Sequence, residues 1–363
     1  MPARWPGARN ISPVTGTDLA SLVGRFDAVV DCRSPSEYAE DHIPGAISAP
    51  VLDDAERATV GTLYKQHSPF EAKKTGAALV ARNVARHVET LFAGKSRAWR
   101  PLVYCWRGGK RSAAMAHILR EIGWDAQTLA GGYRGYRRWV VAQLETIPQK
   151  FLFKVVHGPT GSGKSRFLGA LRRAGAQVLD LEDLAAHRGS VLGNLPDRPQ
   201  PSQKWFESQL LHELSALEPA RAVFVEGESK KIGQLQVPEA LIGAMRASPC
   251  IVLDTALEAR VSLLIDEYRH FVEDPAALEA QLNCLIGLHG RERIARWKAL
   301  ASQGAWREFV AVLLDEHYDP AYRRSSLHNF VHLTQAARVE IGSAEAVAFD
   351  AAARTLIKYA VTA

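Results

Sequence analysis

Apolar residues along this chain fall into short runs separated by turn residues and by stretches with helical spacing. "FDAVVDCRS" from Phe26 and "PLVYC" from Pro101 read as buried strands, each running into turn chemistry. "GAALVARNVARHVETLFAG" places Leu79, Val80, Val84, Val88, Leu91 and Phe92 at helical spacing. "SAAMAHILREIG" predicts a helix ending at Gly123, and "AQTLAGGYRGYRRWV" a strand, a glycine turn and another helix. Pro148 interrupts two apolar segments, so Leu144 to Lys150 is expected to be a linker. A second α/β pattern follows, with strands predicted at "FLFKVVHG", "AQVLDLE", "RAVFVEGE" and "PCIVLD", and a mostly helical last 100 residues.

These elements predict an α/β protein of two domains: residues 1–145 with a parallel sheet, and 146–363 with a second α/β domain and a helical carboxy-terminal part. The 363 residues are 47% apolar and 23% charged, which supports packed cores and argues against long disorder. No apolar run is long enough to span a bilayer, and the start "MPARWPGARNISPV" has no hydrophobic h-region, so a cytoplasmic location without membrane contact is expected. Cys32, Cys105, Cys250 and Cys284 form no CxxC pair, and no protein-ligated metal site is expected. Cys32, Cys250 and Cys284 read as small buried apolar residues. The net charge of +6 permits a polyanionic partner.

The chemistry concentrates in two loops. In "CWRGGKRS", Cys105 ends a strand and precedes a helix, so the helix N-terminus, the loop amides and Arg107, Lys110 and Arg111 are expected to favour a thiolate. The same cradle, Trp106, Arg107, Gly108, Gly109, Lys110 and Arg111, suits an oxyanion. In "GPTGSGKS", a strand leads into G-x-x-x-x-G-K-[ST] and then into a helical pattern. This phosphate loop offers Gly158, Gly161, Ser162, Gly163, Lys164 and Ser165, with Ser165 suited to Mg²⁺. Glu226 ends a later strand, where a metal-organising carboxylate usually stands; Glu228, Asp180 and Glu182 lie at neighbouring strand ends. In "HYDPAY", Asp319 and Pro320 read as a helix N-cap and first turn, leaving His317 as a candidate acid–base group.

"DCRSPSEYAEDHIPGA", "CWRGGKRS" and "LAGGYRGYRRW" together resemble the rhodanese family, in which the loop cysteine carries sulfur; Asp31 and Arg33 would then brace the site. The loop is Cys-x5-Arg, whereas many sulfurtransferases have Cys-x4-Arg. The longer loop resembles rhodanese-like phosphatases, so by itself it leaves sulfur transfer and phosphate-ester chemistry open. A rhodanese-like domain followed by a P-loop domain, with "ERATVGTLYKQ", "LDLEDLAAHRGS", "QPSQKWFES" and "VEGESKKIG" in order, resembles the bacterial tRNA 2-selenouridine synthases over nearly the whole chain.

That resemblance implies a transferase acting on tRNA with a wobble 2-thiouridine. Geranyl diphosphate and selenophosphate are the implied co-substrates, with no tightly bound cofactor. Sulfur is first geranylated, and selenium from selenophosphate then displaces geranylthiol, with Cys105 as the selenium-handling residue. Arg134, Arg137 and Arg138, interleaved with Tyr133, Tyr136 and Trp139, are one candidate tRNA surface; Arg291 and Arg293 are another. Two other readings stay open: an ATP-dependent kinase or NTPase with a regulatory rhodanese module, and a rhodanese-like sulfurtransferase or phosphatase.

Overall fold

A computed structural model describes residues 25–190, 192–330 and 332–361; the amino-terminal segment read for a signal lies outside them. The chain forms two compact units. The first runs to Gln143 and also takes Ser202–Ser215; the second comprises Leu144–Pro201 and the chain from Ala216 onward. The helix at 203–216, expected in the second domain from its place in the sequence, thus belongs almost entirely to the first unit.

The first unit is built on four parallel strands, β1 (Ala28–Asp31), β2 (Ile47–Ser48), β3 (Pro101–Tyr104) and β4 (Gln127–Thr128), in the order β2-β1-β3-β4. Its first helices are α1 (Pro35–Glu40), α2 (Asp54–Gln66) and α3 (Pro69–Glu89). They are followed by α4 (Lys110–Ile122) and α5 (Gly132–Thr146). Val30, Val84, Phe92, Val103, Met115 and Leu119 are core residues of this unit. Helix α3 stops at Glu89, short of the predicted Leu91 and Phe92. Phe92 still enters the core, while Leu91 is exposed. The expected linker is instead the end of α5 and a 3-10 turn, Ile147–Lys150, because Pro148 halts the α-helix but fits a tighter turn.

The second unit has β5 (Leu152–His157), α6 (Lys164–Arg173), β6 (Gln177–Leu179) and α7 (Leu181–Ala185). After α8 (Gln203–Ala216), the helix shared with the first unit, come β7 (Ala222–Glu226), the short pair β8 (Lys231–Ile232) and β9 (Leu235–Gln236), α9 (Glu239–Arg246) and β10 (Cys250–Thr255). A run of helices follows: α10 (Leu257–Glu267), α11 (Arg269–Glu273), α12 (Pro275–Asn283), α13 (Ile286–His289), α14 (Arg291–Ser302), α15 (Trp306–Leu313) and α16 (Asp319–Asn329). The last elements are β11 (Ala337–Ile341) and α17 (Ala346–Val361). Strand β11, absent from the sequence reading, pairs in parallel with β10 and completes the order β11-β10-β5-β7-β6. Its exposed, polar residues hide the strand signal: only Ile341 is fully buried.

Strand β5 lies between β7 and β10. Its carboxyl end is therefore a crevice where the connections diverge, the usual ligand position in an open parallel sheet.

Candidate functional sites

In the first unit, Asp31 pairs with Tyr104 in register, so the residues that follow, Cys32 and Cys105, stand at adjacent strand ends. Cys105 is 3% exposed. Its Sγ lies 3.2 Å from Ser112 Oγ and accepts the Gly109 N–H at 3.2 Å. The thiol is pulled down to about 4: the neighbouring Cys32 thiol outweighs burial, and the hydrogen bonds from Ser112 and the Gly109 amide add to it. Burial pushes Cys32 itself upward, so it stays protonated beside Cys105, its S–H donating to the Tyr104 carbonyl at 3.0 Å. The expectation traced a low thiol to the cation cluster, whereas here the neighbouring thiol, hydroxyl and amide chiefly hold it down. Cys32 is thus more than an apolar filler. Cys250 is buried, whereas Cys284 is exposed, contrary to its reading as a core residue.

The glycine turn after β4 holds this loop in shape. Tyr133 N–H donates to the Cys105 carbonyl at 2.8 Å, and Arg134 N–H to that of Trp106 at 3.0 Å. Gly132 has φ +54°, and a Cβ there would lie 2.2 Å from the Cys105 carbonyl oxygen. The Trp106 ring stacks on Tyr133. Arg33 is fully engaged: it grips both Asp31 carboxylate oxygens, donates to the Asp41 carbonyl at 2.6 Å and lies over Tyr133. Arg111 pairs with Glu37 at 2.9 Å. Arg107 and Lys110 are exposed, and among the described residues neither forms an ion pair, so both can meet an incoming anion.

The first proposed tRNA surface is altered by its packing. Tyr133 and Tyr136 are core residues, 2% and 3% exposed, and cannot stack on bases. Arg137 is tied to Glu207 and to the Lys204 carbonyl. Arg134 and Arg138 remain exposed. On α14, Arg291 is exposed, whereas Arg293 contacts Glu316 and His289.

In the second unit, the loop between β5 and α6 borders a cavity of about 530 Å³. Gly158, Gly161, Gly163, Lys164 and Ser165 line it. Gly161 and Gly163 have φ of +77° and +79°, backbone that side chains disfavour. Ser162 does not face the cavity. Its fully buried Oγ has no partner among the described residues, and its N–H donates to the Pro159 carbonyl. Ser162 therefore shapes the loop and leaves ligand contact to its neighbours. Burial alone would discharge Lys164, but Glu182 and Glu228 keep its ammonium charged.

Glu226 is completely buried and accepts the Leu181 and Glu182 N–H groups, each at 3.0 Å. It positions Glu182, which accepts the Ser165 hydroxyl at 2.9 Å and lines the cavity with Glu228. Burial and the nearby Glu228 charge push Glu182 upward. A Cβ on Gly189 would lie 2.9 Å from Glu182 Oε1 and 2.7 Å from Glu228 Oε2, so the two carboxylates converge on one point. Among the described residues no group of three or more His, Cys, Asp or Glu forms a metal site. Ser165 and Glu182 still offer the hard oxygen donors that suit Mg²⁺ on a phosphate.

The "HYDPAY" segment forms another part of the wall. Asp319 is not an N-cap: the preceding Leu314–Tyr318 is a π-helical turn that runs straight into α16, and the Asp319 carboxylate binds Arg260. An apolar pocket lined by Leu264, Ile265, Phe271, Leu278, Phe309 and Leu313 adjoins the cavity and shares Thr160, Leu264, Tyr268 and Tyr318 with it. The phosphate motif could be read from sequence because its spacing is local. Cys32, Arg260 and the apolar pocket could not, because folding alone brings them to the loops; Glu182 is already among the strand-end carboxylates read from the sequence.

The chain thus joins an α/β unit of rhodanese type, with Cys105 at a strand end, to a P-loop unit. The rhodanese-like domain profile matches residues 15–138, and the tRNA 2-selenouridine synthase AAA domain profile matches 151–283. The chain is 36% identical over 288 residues to a tRNA 2-selenouridine synthase of Bdellovibrio bacteriovorus, covering 76% of this chain and 73% of that one. It is 33% identical to one from Shewanella loihica (85% and 90% covered) and 32% identical to one from Shewanella halifaxensis (86% and 93%). The chain belongs to the tRNA 2-selenouridine synthase family, and is thereby a tRNA-modifying transferase. Among the described residues no helix is long and apolar enough to cross a membrane.

Proposed function

We propose that the chain converts wobble 2-thiouridine in tRNA to 2-selenouridine in two steps, geranylation at the P-loop cavity and selenation at the Cys105 loop. The observation that carries the first step is the junction of a phosphate-binding cavity with an apolar pocket inside one unit. A prenyl diphosphate needs both, its diphosphate at the loop and its hydrocarbon chain in the apolar pocket. The pocket's void of about 50 Å³ equals roughly four water-sized sites, which suits the distal part of a ten-carbon chain. The first carbons would remain in the larger cavity beside Lys164.

Lys164 and the loop amides would take the diphosphate, Ser165 and Glu182 would hold Mg²⁺, and the bound ion would neutralise diphosphate charge. The thiouridine sulfur attacks C1 of the geranyl group: a carbon–sulfur bond forms, the carbon–oxygen bond breaks, and its electron pair leaves on the diphosphate. At the other site, loop amides with Arg107 and Lys110 suit the phosphate of selenophosphate, and the Cys105 thiolate would handle selenium. A cytoplasmic location goes with a tRNA substrate.

Nucleoside mass analysis after incubating 2-thiouridine tRNA with geranyl diphosphate and selenophosphate tests this reading. Cys105→Ala is expected to accumulate S-geranyl product without selenouridine, and Lys164→Ala to yield neither. Turnover of ATP that depends on Lys164, with no S-geranyl product, would overturn it in favour of an NTPase.

A further inference from the structure

His317 sits in the π-helical turn Leu314–Tyr318 and lines the P-loop cavity. Single π-turns inside helical runs are uncommon and recur at functional sites. The turn is fastened to the phosphate loop: Arg260 binds the adjoining Asp319 and also donates to the Thr160 carbonyl at 2.8 and 3.0 Å. His317 is 6% exposed, and its Nδ1 lies 2.8 Å from His289 Nε2. With Nδ1 turned to His289, Nε2 is the ring nitrogen left for the cavity that His317 lines, and it has no hydrogen-bond partner among the described residues.

The neighbours fix which nitrogen carries the proton. Arg293 NH1 lies 3.4 Å from His289 Nδ1, and a guanidinium can only donate. His289 Nδ1 is therefore the acceptor, so the neutral ring carries its proton on Nε2 and donates it to His317 Nδ1. A neutral His317 then holds its own proton on Nε2, facing the cavity. Both rings are held neutral. Burial lowers His317, aided by His289 and by Arg324 of α16; burial lowers His289, aided by Arg293 and opposed by Glu316.

We propose that His317 donates its Nε2–H to the diphosphate oxygen released as the donor's carbon–oxygen bond breaks, with His289 and Arg293 as positioning residues that fix the tautomer. This rests on the prenyl diphosphate reading of the cavity. His317 keeps its proton throughout, and the N3 proton of the alkylated base passes to water. A donor aimed at charge that develops in the transition state raises kcat more than it tightens ground-state binding.

Imidazole ¹⁵N spectra of the full chain, with His317 assigned through His317→Gln, test the tautomer directly. The expected result is an Nε2–H ring at His317 that shifts when inorganic pyrophosphate is added. An Nδ1–H ring, or no shift at saturating pyrophosphate, overturns the proposal. In the geranylation assay, His317→Phe is expected to lower kcat roughly 100-fold with KM for geranyl diphosphate changed by less than about threefold. His317→Gln, whose amide reaches the Nε2 position, should recover much of the loss, and Arg293→Met should fall between. A His317→Phe kcat within about twofold of wild type overturns the catalytic role. Wild-type protein that shows the pyrophosphate shift but makes no S-geranyl product overturns the prenyl reading alone and leaves the hydrogen bond to diphosphate supported.

Discussion

Arg260 grips Asp319 through two nitrogens, at 2.6 and 3.0 Å, in an ion pair whose arginine is 8% exposed. The same guanidinium reaches the Thr160 carbonyl, so one side chain links the phosphate loop to the turn that carries His317.

Arg260→Met removes one partner of that pair and leaves the carboxylate and the Thr160 carbonyl without their donor. Chemical denaturation is expected to show a loss of roughly 3 kcal/mol, the usual scale for halving a buried pair. Adding Asp319→Asn should cost less than the sum of the single effects, because the first change has already removed the interaction.

The thiolate at Cys105 predicts an unusual alkylation profile. Iodoacetamide modification should titrate with a midpoint near pH 4 and be flat at neutral pH, since the thiol is held at about 4. Cys32→Ala removes the neighbouring thiol, the largest influence holding Cys105 low, and should raise the midpoint by about one unit, or ~1.4 kcal/mol. Ser112→Ala should move it in the same direction by less. A midpoint unchanged in both variants would show that the cations, and not these neighbours, set the thiolate.

Gly132→Ala is expected to damage the same loop from outside it. The new Cβ would meet Gly108 N at 2.4 Å as well as the Cys105 carbonyl, at a φ that alanine disfavours. A stability loss of about 1–3 kcal/mol should accompany slower Cys105 alkylation at pH 6. Pyrophosphate binding by the P-loop cavity should be unchanged, which isothermal titration would check.

His157, at the end of β5, has two buried ring nitrogens without partners among the described residues and an edge contact to Phe330. Burial, aided by the Lys164 charge, lowers it from 6.5 to about 4. Below pH 6.5 the unfolded chain takes a proton that the folded chain refuses, so this residue's stabilisation is full above 6.5 and lost as pH falls toward 4. Relative to His157→Leu, wild type should lose up to about 3 kcal/mol across that window, read as the difference between two pH–stability curves.

Much of this protein is written in local spacing. Cys105 at a strand end before glycines, the G-x-x-x-x-G-K-S loop and the strands β5, β6, β7 and β10 all follow from period, turn residues and flanking runs, because their physics involves neighbours in the chain. Other features join distant residues. The exposed strand β11 exists only because β10 offers it an edge, and α8 belongs chiefly to the first unit despite its place in the sequence. Nothing local distinguishes Cys32 from a core residue, or Arg137 from a free cation, until Tyr104 and Glu207 are set beside them.

The sequence by itself determined the two glycine-rich loops after β3 and β5, since backbone freedom at glycine and the charge of Lys164 are properties of adjacent residues. Only the tertiary structure decided which groups tune those loops. Burial and hydrogen bonding depend on what folding brings into contact, and they set the low Cys105 thiol, the Glu182–Ser165 contact and the His289–His317 contact.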